Sequence, residues 1–467
     1  MVEALKRVLS LVGGKKLVVA GFAVACACTY GQERPLVDPA IPLAERMFPP
    51  LAPLLEKAVR QSARAIGSNL EFLIAQENIG VQRSRMLPSA GGYMTYSYAQ
   101  DRRLDRADPL NAAKLAYSMV MTQPIFHWGA LKAGNDYGKL TAKIAENNYG
   151  ETCRLLVLEL RAAYLRMVVQ KAGVKRAQFA LRIAETELKQ AEGQLKAGAI
   201  ATAEILTPQR RVRQTQLEFE RAEEDYRFSR VTVERLAGVE AIDERSIPTS
   251  VAEVPFPKDR LRALAEHFNA SETSDGNYRL KIAQLRVDQE KLNYRILDKA
   301  LRPKFNVVTG VTQDEVSYTG SPADRARTQS LYGGLNVTWN VFDGFLTTTQ
   351  RRASMLRVRQ LEGDLDERQR EQSESVRNQM KQIEFAARST AMAEEMLAEY
   401  NLMVAVRQDN VTRGLSAPWE MESVTIARDG VLLQTMLARS DFLGRIADFL
   451  SSIGRDPALQ TLVPPRS

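Results

Sequence analysis

A chain of 467 residues is long for one compact domain and points to about three units or one elongated body. With 45% hydrophobic and 26% charged residues it has the composition of an ordered, water-compatible polypeptide, and no run of about 20 apolar residues follows the N-terminus, which excludes a bundle of spanning helices. The 64 basic and 56 acidic residues are interspersed rather than gathered into a stripe, which argues against a nucleic-acid partner.

The N-terminal segment carries Lys6, Arg7, Lys15 and Lys16, then the apolar stretch Leu17 to Val24, then Ala25-Cys26-Ala27-Cys28. A charged flank, an apolar stretch and a small-residue exit make residues 1–27 an export signal. Ordinary cleavage and lipid attachment at Cys28, with Cys26 as the second choice, both fit this run. Residues 28–50 then form an N-terminal extension. With two histidines and three cysteines, neither a zinc site nor a disulfide framework can be assembled, and Cys153 reads as a small packing residue.

From there the same plan is written twice, over residues 51–238 and 277–454. Phe126 and Phe342, Gly198 and Gly414, Glu204 and Glu420, Tyr226 and Phe442, and Gly238 and Gly454 each lie 216 apart, in matching local contexts. Upstream, Asn69 and Ile74-Ala75-Gln76 match Asn277 and Ile282-Ala283-Gln284 at 208, whereas Pro88 matches Pro303 at 215, so a longer helix is expected in the second copy.

Each copy reads helix, strand, strand, very long helix, glycine break, second helix. The first opens with a helix over about 51–85, ended by Pro88, and alternation places strands at about 92–99 and 115–125. A proline-free helix follows over about 128–197. The second copy has strands at about 304–313 and 333–342 and a helix over about 346–413. At about 1.5 Å per residue each long helix spans on the order of 100 Å, which calls for coiled-coil-like packing. Gly198 and Gly414 break these helices, with Thr202 and Ser416 placed to cap their successors and Pro418 in a first turn. Residues 239–276, rich in proline, read as an equatorial linker with a short helix over about 261–269, and 455–467 as a C-terminal tail.

Strands of about ten residues with aromatic ends and one apolar face suit an outer-membrane barrel, and their pore side reads as polar and uncharged. Four strands cannot close one, because open edges are not tolerated in lipid, so several chains must contribute; three would supply about twelve strands, given a minimum of about eight.

Over about 51–454 the sequence resembles the TolC family of trimeric outer-membrane efflux channels. The match is carried by Leu87-Pro88; by Gln123-Pro124-Ile125-Phe126 and Trp339-Asn340-Val341-Phe342-Asp343-Gly344 at the strand-to-helix junctions; by Gly198-Ala199-Ile200 and Gly414-Leu415-Ser416; and by Leu236-Ala237-Gly238 and Ile453-Gly454. Phe126-His127-Trp128-Gly129 departs from the usual Phe-Asp-Gly-Gly. The resemblance implies a mainly α fold with β-structure: a homotrimer whose 12-strand barrel lies in outer-membrane lipid and continues into a periplasmic α-helical barrel. It also implies that Gly198, Ala199, Ile200, Gly414, Leu415 and Ser416 lie at a tip that docks a periplasmic membrane-fusion adaptor and an inner-membrane pump. Glu420 falls where relatives place an acidic constriction, while its repeat mate Glu204 is expected on the tube wall.

No phosphate loop, zinc-binding helix or nucleophile elbow is present, and adjacent carboxylates such as Glu223-Glu224 and Glu394-Glu395 read as solvated faces, so an enzyme is not expected and no cofactor is implied. The expectation is a passive exit duct of a tripartite efflux or type I secretion system. The competing expectation is a periplasmic coiled-coil scaffold or adaptor without a pore.

Overall fold

The computed structural model describes residues 41–101, 110–270, 277–318, 325–415 and 417–462. Cys26, Cys28 and the export segment therefore lie outside the described residues, as does Ser416. The chain divides after Asp38, and the described residues all belong to the unit Pro39–Ser467.

The elements in order are α1 (Ala44–Met47), α2 (Leu51–Gln61), α3 (Ala63–Ser84), β1 (Ser89–Asp101), β2 (Leu110–Phe126), α4 (Ala130–Lys196), α5 (Leu206–Ala237), α6 (Lys258–Ala270), α7 (Tyr278–Asp298), β3 (Lys304–Tyr318), β4 (Arg325–Thr338), α8 (Leu346–Thr412), α9 (Pro418–Ser452) and α10 (Pro457–Leu462). Helices α4 and α8 have 67 residues each, and both their ends are 216 apart.

The duplication is visible in the backbone itself. Left-handed φ values recur at 216: Trp128 and Gly129 with Gly344 and Phe345, Gly198 with Gly414, Gly238 with Gly454. The helix ends match as well, since Ala199 N donates to Gln194 O as Leu415 N does to Asn410 O, both at 2.8 Å. This is the six-to-one bond of a Schellman stop, which needs the left-handed residue that glycine supplies without steric penalty.

Several expectations need correcting. The opening helix is two, broken at Ser62, whose extended backbone (ψ 140) and side chain cap α3 at Ala65 N. The second copy has no longer helix: α3 and α7 have 22 and 21 residues, and their caps, Ser62 and Asn277, lie 215 apart. A seven-residue shift is nearly two helical turns and preserves the buried face, which is why the match at 208 misled. Thr202 caps nothing; α5 starts only after Ile205, which makes no side-chain cap. The fourth strand lies earlier than expected, ending at Thr338.

The four strands form one antiparallel sheet in the order β1-β2-β3-β4. Register sets its two faces. One carries rows such as Gly92-Met119-Val311-Leu331 and, lower, Phe126-Phe305-Val337; the other carries Tyr93-Ser118-Thr312-Ser330 and Asn306-Asn336. The strands run longer than expected, so the polar face also holds Lys114 and Asp314 and is not uncharged. The register shifts between Pro124 and Phe126, a bulge at the strand end where a residue lacking an N–H is tolerated.

The helices also form open arrays. Near the sheet the packing order is α3-α4-α7-α8, and beyond the linker it is α5-α4-α9-α8. The densest core lies between these two arrays, where Leu156, Leu160, Tyr164, Phe442 and Phe449 are fully buried together with Cys153.

Candidate functional site

The molecule offers a wall rather than a cleft. Its sheet ends freely at β1 and β4, and each helical array ends freely at α8 on one side and at α3 or α5 on the other. These free edges expose apolar stripes at helical spacing: Ile66, Leu70, Leu73 and Val81 on α3; Leu206, Leu217, Phe228 and Val231 on α5; Phe385, Met392, Met396, Met403 and Val406 on α8. Stripes of this kind mark surfaces that pack against another helix. On the apolar sheet face, Met94, Tyr96, Leu331 and Leu335 are 60–80% exposed.

At the far end, the glycine breaks lie where the chain turns from α4 to α5 and from α8 to α9. Both Gly198 and Gly414 have φ +72 with open space around the missing Cβ, so conformation and not crowding requires glycine. Leu415 and Trp419 stand exposed at the second break, whereas Ala199 and Ile200 at the first are smaller or half-buried. Glu420, in the first turn of α9, accepts from Arg407 of α8 at 3.0 Å, so its charge is compensated within the chain. Glu204 lies in the turn before α5, its N–H bonded to Ala201 O.

At the sheet end the residues of the two strand-to-helix junctions are bonded locally. Asp343 Oδ2 accepts from Thr347 N at 3.0 Å and from the Thr347 hydroxyl, bonds that hold its carboxyl below the usual range. In the first copy Trp128 and Gly129 make the same left-handed turn without an aspartate, and His127 Nε2 bonds Asn306 Oδ1 at 2.9 Å. The departure in sequence thus leaves the turn intact. The indole N–H groups of Trp128 and Trp339 donate to Pro303 O and Leu301 O at 2.8 and 3.1 Å. Phe126 packs edge-on to Trp128 and tilted on Phe305.

Sequence reasoning missed the buried charge cluster at mid-height. Arg161, 2% exposed, donates to Glu45 at 2.6 and 2.9 Å and to Asp456 at 2.5 and 2.9 Å. Burial opposes its charge, but the two carboxylates more than compensate and raise its pKa. No periodic signal marks such a cluster, because its members are over a hundred residues apart. The linker is fastened nearby: Lys171 donates to Glu244 O and Ile247 O at 2.6 and 2.8 Å, and Arg439 to Val251 O at 2.7 Å.

Among the described residues no helix is long and apolar enough to cross a membrane and no cluster of His, Cys, Asp and Glu could hold a metal. The described chain is an open sheet with one apolar face, continued by helices of 67 residues that span about 100 Å each. The family model described as outer membrane efflux protein matches residues 69–239 and 270–454, and the chain belongs to that family. It is accordingly an outer-membrane protein extending into the periplasm.

Solved structures share the fold. The Campylobacter jejuni CmeC outer membrane channel superposes with TM-score 0.68 at 12% identity, over 87% of this chain and 86% of its own. The open-state MtrE outer membrane channel of Neisseria gonorrhoeae gives 0.65 at 12%, over 90% and 93%. The outer membrane protein VceC of Vibrio cholerae gives 0.61 at 12%, over 89% and 97%. No curated protein sequence matches.

Proposed function

We propose that the chain is the exit duct of a tripartite efflux or type I secretion system. Three copies close the open edges into a barrel of 3×4 = 12 strands and a helical tunnel below it. The duct is passive, performs no chemistry, and is driven by an inner-membrane pump through a periplasmic membrane-fusion adaptor docked at the breaks around Gly198 and Gly414. The observation that carries this reading is that sheet and helices end freely along the same two sides, β1, α3 and α5 on one and β4 and α8 on the other, with apolar stripes on the helical edges. A sheet edge left unpaired in lipid costs several kcal/mol for each backbone group, so the edges must meet.

The gate of the duct is assigned to the second break. Glu420 of three copies would converge around the axis, each paired with its own Arg407; release of those pairs would leave an acidic ring that favours cations and binds divalent ions.

Single-channel conductance in planar bilayers tests both levels, comparing the natural chain with Glu420→Ala under divalent-cation titration. The expected result is a small cation-selective conductance, blocked by the divalent ion and released from block by the substitution. Conductance indifferent to the substitution would move the gate elsewhere. A folded trimer without conductance would overturn the duct and leave a periplasmic scaffold.

A further inference from the structure

We infer that the turn between α7 and β3, with Trp128 beside it, is a headgroup site for an anionic phospholipid of the periplasm-facing leaflet. The inference rests on reading the sheet as the membrane-inserted part. The apolar face of the sheet ends below in the row Phe126-Phe305-Val337, and Trp339 follows directly after the end of β4. Phe126, Trp339 and Val337 are about half exposed or more, and Trp128 is 36% exposed, so an aromatic girdle closes the apolar band. Aromatic residues that are apolar at one end and hydrogen-bonding at the other belong at headgroup level. Both indole N–H groups are already satisfied by carbonyls of the same turn, Leu301 O and Pro303 O, which pins that turn against the girdle on the lipid-facing side.

The charge at this level is one-sided. Arg302 is exposed, its guanidinium lies 5.1 Å from the centroid of the Trp128 ring, and it has no acidic partner among the described residues. Lys304, two residues on, pairs with Thr338 and lies on the polar face with Asn306, so Arg302 alone supplies the charge on the lipid side. The one acid of the turn, Asp298, is occupied by Lys299 at 2.5 Å and Arg351 at 3.2 Å, and its carboxyl is held below the ordinary range by the bond from Lys299. A guanidinium stacked on a rigid ring keeps its edge donors free in a fixed plane, which suits the paired oxygens of a phosphate. Neutral or zwitterionic lipid offers no net charge to match Arg302, whereas phosphatidylglycerol does.

The test uses the full chain in nanodiscs with Trp419→Phe, so that of the three tryptophans only Trp128 and Trp339, both bonded to the turn, emit. Their fluorescence is titrated with bromine-labelled phosphatidylglycerol or bromine-labelled phosphatidylcholine. The expected result is half-quenching at about fivefold lower mole fraction of the anionic lipid, the factor that one cation contributes at an anionic surface. Arg302→Gln should bring the ratio close to one while leaving quenching by phosphatidylcholine unchanged, and Arg302→Lys should preserve most of the preference. High salt should shrink it, because the Debye length falls to about 3 Å at 1 M. Equal quenching by the two lipids, or a preference that survives Arg302→Gln, overturns the site and leaves the membrane reading intact. No quenching by either lipid would overturn that reading and the site with it.

Discussion

Arg161 shows how much one side chain can hold. It joins α4 to Glu45 near the start of the described residues and to Asp456 near their end, so the first and last described segments are fastened to one point of α4. Replacing it by methionine leaves two carboxylates buried without a cation, and Arg161→Met should lose about 3–5 kcal/mol, read by chemical denaturation. Glu151 gives the pH dependence of the same region. Burial raises its pKa, but hydrogen bonds and charge from Arg154 and Arg279 outweigh burial and leave it below the ordinary glutamate value of 4.5. A depressed carboxylate stabilises the fold fully above its unfolded pKa and ceases to do so as pH falls through the lower folded value. The stability of the natural chain should therefore drop below about pH 4.5 more than that of Glu151→Gln, measured by thermal unfolding across pH.

At the scale of elements, the free edges decide assembly. The α8 stripe of Phe385, Met392, Met396, Met403 and Val406 recurs at spacings of seven, four, seven and three, which keeps one face turned outward in coiled-coil fashion. The α5 stripe of Leu206, Leu217 and Phe228 recurs at eleven, and also stays on one face. Within the chain neither stripe is covered, because α4 and α9 occupy the opposite sides of these helices. Val406→Glu should abolish the oligomer and leave the helical content of the chain unchanged, as measured by light scattering in detergent together with circular dichroism. An oligomer that persists would assign the α8 stripe to another partner.

For the whole molecule, two different secondary structures share one curvature problem. Four strands and four helices abreast each form an open sector, and both sectors end on the same two sides of the chain. The linker crosses the helical sector, held by Lys171 on α4, by Arg439 on α9 and by the ion pair Lys258–Glu384 on α8 at 3.5 Å. A belt fastened to three successive helices restrains how far they can splay at its level. Near Gly414 the pair Arg407–Glu420 ties α8 to α9 in the same way.

The duplication, the strand alternation and the glycine stops were legible in the sequence because each is a local, periodic or conformational demand repeated at one offset. Phe126 with Phe342 and Gly198 with Gly414 announced the turns before any contact was known. Helix beginnings were less legible: Thr202 has the chemistry of a cap, yet α5 starts four residues later, since tertiary packing of Ile205, 7% exposed, sets the boundary. Register alone decided which face of the sheet holds Lys114 and Asp314, and folding alone brought Glu45, Arg161 and Asp456 together. The sequence by itself determined a doubled wall of strands and very long helices, because periodicity is a property of neighbours along the chain. Which of its sides remain open, and which charges are buried in the core, depends on contacts between residues far apart, and those only the tertiary structure decided.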